Sequence, residues 1–216
     1  MAALLLAAAL ATQPCAAQAG TSPAPNLTRD APADCLPGRT NWRRIATEAD
    51  RRRLRDWRDA WVEALAQARG EGHSAEIAAL GPLLDPDLAI DDPGLPPGDY
   101  LCRTVKLGSR EPGVVPSFTA EAPAHCRIGA IEGHMTFARL DGAQRPIGRL
   151  YPDNELRLVF LGTLQLTDEA RAYQYGVDPD RDMIGLVQRI GERRWRLVVP
   201  RPAHESLLDV IELTPR

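Results

Sequence analysis

Apolar positions recur at helical spacing in the front half of the chain and at alternating spacing in the back half. Between Thr47 and Arg69 the residues Leu54, Trp57, Trp61, Leu65 and Ala68 form one stripe with charged residues between them, which predicts an amphipathic helix. Thr47 and Asp50 have capping-box-like spacing at its start, and Gly70 and Gly72 stop it. A shorter helix is expected after Ser74 as cap, turning Ile77, Leu80, Leu83 and Leu84 inward until Asp85-Pro86 ends it. Prolines and glycines between Asp91 and Asp99 then mark a junction, after which the period falls to two. Strands are predicted at 100–107, 125–131, 135–140, 147–151, 156–164, 183–190, 194–199 and 208–213. Asp141-Gly142 reads as a hairpin turn, Pro152-Asp153-Asn154 as another, and Gly191-Glu192 as a two-residue hairpin with glycine first. Trp195, Leu197 and Val199 alternate with Arg194 and Arg196, so the arginine side of that strand is expected to face water.

These elements predict an α+β domain over residues 41–216, a helical cap (41–90) packed on an antiparallel meander (99–216). About eight short strands with tight turns favour closure into a barrel or half barrel, because closure removes exposed edges. An eight-strand barrel holds side chains or one small ligand. Aromatic residues make up only 5% of the chain. The interior is therefore expected to be filled by Leu, Ile and Val, or to remain partly open. An open lumen of several hundred cubic ångströms with an aliphatic lining would suit a small apolar ligand.

Residues Met1 to Ala11 are almost wholly apolar, and Ala17-Gln18-Ala19 supplies the small-x-small pattern that signal peptidase requires. Export to the periplasm with cleavage after Ala19 is the expectation, with residues 20–40 as a flexible tether. The apolar stretch is too short to span a bilayer. Cleavage would remove Cys15 and leave Cys35, Cys102 and Cys126. In an oxidising compartment two of these should pair. Cys102 with Cys126 is favoured, because both fall in segments that read as neighbouring strands; pairing of Cys35 with either, or an intermolecular bridge, is the alternative.

Lys and Arg total 26 against 29 Asp and Glu, a formal charge of −3, which argues against a dedicated nucleic-acid binder. Lys106 is the single lysine and the other cations are arginine, a bias that matches a GC-rich bacterial genome. Arginines of the 47–69 segment interleave with acids and read as a solvated face.

Catalytic motifs are sparse. None of His73, His125, His134 and His204 has two-histidine metal spacing, and the cysteines have no CxxC spacing. Asp178, Asp180 and Asp182 alternate as in a calcium loop, but Met183 and Arg189 stand where glycine and glutamate are required. Nucleophile-elbow and phosphate-loop fingerprints are missing. No catalytic, cofactor or metal residue is assigned; a hydrolase would need a close pair among His125, His134, His204 and the acids around Asp182 and Glu205.

The blocks Tyr175 to Gly185, Arg189 to Leu197 and Leu208 to Leu213 resemble the domain-of-unknown-function family DUF4893 of exported alphaproteobacterial proteins. Tyr100-Leu101-Cys102-Arg103, Lys106-Leu107-Gly108, Gln144-Arg145 and Val159-Phe160-Leu161-Gly162 look like further blocks of that family. The resemblance implies an envelope location and places Cys102 and Cys126 where the family's paired cysteines are expected. It implies no activity, substrate or catalytic residue. More distantly, the closing strands look like those of lipocalin-like barrels and periplasmic barrel-type protease inhibitors. The expected role is a non-catalytic small-ligand binding or envelope-maintenance protein, with an inhibitor or assembly factor that binds an envelope protein as the alternative.

Overall fold

A computed structural model describes residues 41–131 and 133–216. The expected signal segment, the tether and Cys35 lie outside the described residues. Among the described residues nine strands run in chain order: β1 (Gly98–Ser109), β2 (Phe118–Ala120), β3 (Ala124–Ile131), β4 (His134–Arg139), β5 (Gln144–Asn154), β6 (Arg157–Leu166), β7 (Asp182–Gly191), β8 (Arg194–Pro200) and β9 (Ser206–Pro215). Neighbours from β3 to β9 pair antiparallel, and β1 pairs with both β3 and β9, closing an eight-stranded barrel. The ninth strand, β2, was not expected. It exists because β1 outruns β3: Gly98 to Cys102 pair with β3, whereas Val105 to Leu107 pair with β2.

Residues of alternate parity on each strand face inward. The interior is built from Tyr100, Ile128, Phe137, Leu150, Phe160, Val187, Trp195, Leu197, Ile211 and Leu213, all buried. Phe137 meets Phe160 edge-on at 5.8 Å, and Tyr100 meets Trp195 in the same manner at 6.3 Å. Four aromatics thus fill space inside the barrel, while Trp42, Trp61 and Tyr151 belong to the core beneath the helices. Room for Phe160 comes from Gly148 and Gly162, paired in register on β5 and β6. A Cβ on Gly148 would lie 2.3 Å from the Leu161 carbonyl oxygen, and one on Gly162 would lie 2.5 Å from the Phe160 ring. At one end the Tyr100 hydroxyl donates to the Pro96 carbonyl at 2.7 Å. Cys102 and Cys126 are bonded across β1 and β3, their Cα atoms 5.8 Å apart. That pairing is the one favoured by the strand pattern.

A second core lies outside the barrel wall, beneath four helices: α1 (Trp42–Ile45), α2 (Glu48–Arg55), α3 (Trp57–Gly70) and α4 (Ser74–Leu80). The single helix expected over 47–69 is two, broken at Asp56, where the backbone leaves helical geometry (φ −91°, ψ 18°). A straight rod touches a curved wall over only a few turns. The break lets α2 pack on β7 while α3 lays Ala60, Trp61, Ala64, Leu65 and Ala68 across β1 and β9. Thr47 caps α2 as expected, accepting from the Asp50 amide at 3.2 Å. Ser74 is the first residue of α4 and not its cap; His73 holds that position, its ring bonded to the Glu76 side chain at 3.2 Å and not to a backbone amide of the first turn. Two turns also differ. Pro152 to Asn154 belong to β5, since Asp153 is pulled inward by Trp42 and Arg157 (2.9 and 2.7 Å), and Gly191 pairs with Arg194, leaving Glu192 and Arg193 as the β7–β8 turn.

Arg196 is the largest departure from expectation. Instead of facing water it is fully buried beneath the cap, with its guanidinium 4.8 Å from the Trp61 ring centroid. It donates to the carbonyls of Leu83 (3.0 Å), Asp85 (2.6 Å) and Leu88 (2.8 Å), and to Gln188 (2.8 and 3.0 Å). These carbonyls lie at and beyond the end of the 3-10 helix Gly81–Leu84, whose orphaned acceptors the guanidinium helps to satisfy. Burial pushes the guanidinium pKa down to about 10, still charged at neutral pH. Arg196→Met should cost about 3–5 kcal/mol in urea unfolding, because it leaves the buried Leu83 carbonyl and the partly buried carbonyls of Asp85 and Leu88 without their donor. Unchanged stability would show that the cap docks without this contact.

Candidate functional site

Of the two interiors that composition allows, filled or partly open, the barrel has the filled one: Ile128, Leu150, Val187, Leu197, Ile211 and Leu213 pack with Tyr100, Phe137, Phe160 and Trp195, so no open aliphatic lumen of several hundred cubic ångströms is left. The space near its other end measures about 30 Å³, room for roughly one water. That end is polar. Thr104 and Lys106 on β1, Arg139 on β4, Gln144 on β5 and Asp209 on β9 line it, with the β8–β9 loop across the top.

Strand register explains why they meet. Lys106 and Asp209 are direct partners across the β1–β9 seam, and their parity points both inward with Cys102 and Ile211. The Lys106 ammonium donates to Gln144 Oε1 at 2.7 Å and to Glu205 Oε2 at 2.5 Å; Gln144 Nε2 in turn donates to Glu205 Oε1 at 3.0 Å. Beside this triangle Arg139 donates to Thr104 Oγ1 at 3.0 Å and to Glu121 Oε2 at 2.7 Å. Both cations sit deep, at 12% and 9% side-chain exposure, and both carboxylate partners sit further out, at 42% and 26%. The hydrogen bond and charge of Lys106 hold the Glu205 carboxyl below its ordinary range despite partial burial.

Asp209 lies deeper than either pair and accepts from the Ser206 hydroxyl. Burial raises its pKa from 3.8 to about 6, against the opposing pull of Lys106 and Ser206 and with the help of Glu121 and Glu205. Outside the Lys106–Gln144–Glu205 triangle, a cleft of about 510 Å³ opens to solvent with Val114, Val115 and Pro116 as an apolar wall.

The histidines singled out in the sequence do not converge. His125 bonds the exposed Asp141 at 2.9 Å, His134 lies 6.0 Å from the Tyr151 ring, and His73 stacks on Phe118 at 5.3 Å. His204 shares the small cavity with Asp182 and Asp209, but among the described residues no hydrogen bond joins its ring to either. Asp182 belongs mainly to another cluster: its carboxylate accepts from the Gly176 amide (2.8 Å), and its carbonyl takes an Arg53 bond (2.9 Å). Arg53 and the Tyr175 hydroxyl both bind Asp50, stapling α2 to the 167–181 connection. Desolvation first, then the charge of Asp50, raises the Asp182 carboxyl pKa, while the Gly176 amide opposes them. Among the described residues no group of three or more His, Cys, Asp or Glu side chains is placed to hold a metal ion, and no helix is long and apolar enough to cross a membrane.

Of the mouth residues the sequence marks only Glu205, as an acid that a hydrolase would need; Lys106, Arg139, Gln144 and Asp209 are not marked as a site. One signal was present: a lone lysine in a chain that otherwise uses arginine, on an alternating strand beside Cys102.

Asp209 makes stability depend on pH with a definite sign. The unfolded chain releases this proton near 3.8 and the folded one near 6, so the folded state is favoured below about pH 4 and loses that advantage as pH rises through 6. Asp209→Asn should therefore stabilise the protein by on the order of 3 kcal/mol at pH 8 and by little at pH 4, read by urea unfolding at both. The same increment at both pH values would contradict the assignment.

No curated protein matches the chain, and no solved structure does either. Residues 42–213, the span from α1 into β9, match the family described as a domain of unknown function, DUF4893, and the chain belongs to that family.

Proposed function

We propose that this chain is an exported, non-catalytic binding protein of the bacterial envelope that takes a small ligand at the polar mouth of its barrel. The observation that carries the reading is the set of ionic groups gathered at one end of an otherwise apolar barrel interior. A barrel that only had to fold would be as stable or more so with aliphatic side chains at Lys106 and Asp209, since desolvating charges costs more than their attraction returns unless the geometry is excellent. Strain lies in the same place. Glu205 and Arg201, at the two ends of the loop over the mouth, both adopt positive φ (64° and 46°) without being glycine. The outer cleft, about 510 Å³, is within the roughly 300–1,000 Å³ range of small-molecule sites.

Binding is favoured over catalysis because both cations are paired with carboxylates, Lys106 with Glu205 and Arg139 with Glu121. In addition, among the described residues none of His125, His134 and His204 is hydrogen-bonded to both an acid and a nucleophile. Export is supported by the apolar opening stretch, the Ala17-Gln18-Ala19 motif and the Cys102–Cys126 bond, a linkage that persists in oxidising compartments.

Two measurements on protein expressed from the full-length gene and recovered from the periplasm test this reading. The mature amino terminus should be Gly20, and retention of residues 1–19 would overturn export and cleavage. Native mass spectrometry should show a small-molecule adduct that is lost in Lys106→Met at retained fold, and an adduct-free wild-type spectrum would overturn mouth binding.

A further inference from the structure

We infer that the ligand of this mouth is an anion of the carboxylate class with a short apolar body, and that Glu205 occupies its position in the unliganded protein. The inference rests on the mouth-binding reading and specifies its chemistry.

Lys106 is the only lysine in the chain and points into the closed barrel. An ammonium is a compact charge with three donors, suited to an acceptor that approaches from one direction, whereas arginine offers a planar fork. Two donors are used, by Gln144 at 2.7 Å and Glu205 at 2.5 Å, and among the described residues the third has no partner. The two partners differ in kind. Gln144 is part of the barrel wall. Glu205 reaches in from a loop, its side chain 42% exposed against 12% for the lysine, so its carboxylate enters from the solvent side. A carboxylate arriving from the cleft would take the same path to the same atom.

The loop itself does not depend on that ion pair. The Glu205 carbonyl accepts from the Arg110 amide at 2.8 Å, and the Pro202 carbonyl accepts from the Arg110 guanidinium at 2.8 Å. The Arg201 amide is bound to the Leu207 carbonyl at 2.8 Å. The Glu205 side chain can therefore leave Lys106 by rotation about its own bonds while the backbone stays in place. What it would vacate opens onto the wall formed by Val114, Val115 and Pro116, with Val114 itself 76% exposed. A carboxylate on the ammonium with an apolar body against that wall satisfies both surfaces. An alkylammonium is disfavoured, because its charge would have to sit beside Lys106 and Arg139.

The lone lysine also supplies the probe. In full-length protein labelled with 15N at the lysine side chain, one Nζ resonance reports the site. Titration with octanoate and with N-acetyl-leucyl-leucine should shift that resonance saturably, and octylammonium and octanol should not. Whichever of the two carboxylates binds more tightly identifies a lipid-like or a peptide-end source. Glu205→Gln should tighten carboxylate binding about fivefold, the size expected for removing one half-exposed competing ion pair. A merely structural Glu205 would not produce that gain. Lys106→Met, with its circular dichroism unchanged, should abolish carboxylate binding as read by calorimetry. Absence of any shift with both carboxylates, a preference for octylammonium, or no gain in Glu205→Gln overturns the carboxylate assignment. Mouth binding falls separately, by an adduct-free native spectrum.

Discussion

The pairing of β1 with β9 joins residues that lie about a hundred positions apart, from Tyr100 opposite Pro215 to Ser109 opposite Ser206. This seam turns a meander into a barrel, and every other feature depends on it. Closure removes the two edges that an open sheet would expose. It also divides each strand into an inward and an outward set, so the chain must supply two separate apolar layers, one inside the wall and one beneath the helices. The same seam sets Lys106 against Asp209.

The two ends of the barrel answer different demands. At one end Tyr100, Trp195 and Leu213 exclude water with the disulfide beside them, and even the Tyr100 hydroxyl is used up on a backbone carbonyl. Toward the other end the inward positions become Thr104, Lys106, Arg139, Gln144 and Asp209. Alternating strands provide those positions whether or not polar residues occupy them, so their occupation by charge is a property of this sequence and not of the barrel. Lys106 and Arg139 lie inside their paired carboxylates Glu205 and Glu121, an order that makes those outer members the replaceable ones.

The helical layer is held by a similar economy of charge. Arg196 projects outward from β8 into a space that the cap covers, and its charge is met by backbone carbonyls at the end of the helical segment and by the Gln188 side-chain oxygen. Asp50 does the equivalent for α2, gathering Arg53 and Tyr175. Buried ionic groups of this kind are costly to break. They fix where each helix sits on the curved wall, which apolar contact alone does not specify.

Local pattern determined much of this by itself. Alternation located eight of the nine strands, the change of period located the boundary between cap and barrel, and the strand placement of Cys102 and Cys126 made their pairing the favoured one. Those features depend on neighbours a few residues apart, or on short loops. What the chain pattern did not reveal depends on partners far away. Arg196 reads as a solvent-facing residue because its strand alternates, and only the helical layer over that face makes it buried. The aromatic count is low over the whole chain, and only the positions of Phe137, Phe160, Tyr100 and Trp195 on one interior face make the barrel solid. Lys106 is visible as a lone lysine, yet its meaning required Asp209, Glu205 and Gln144 to arrive beside it from three other places in the sequence. Register across the closing seam decided that encounter, and register is a property of the assembled sheet.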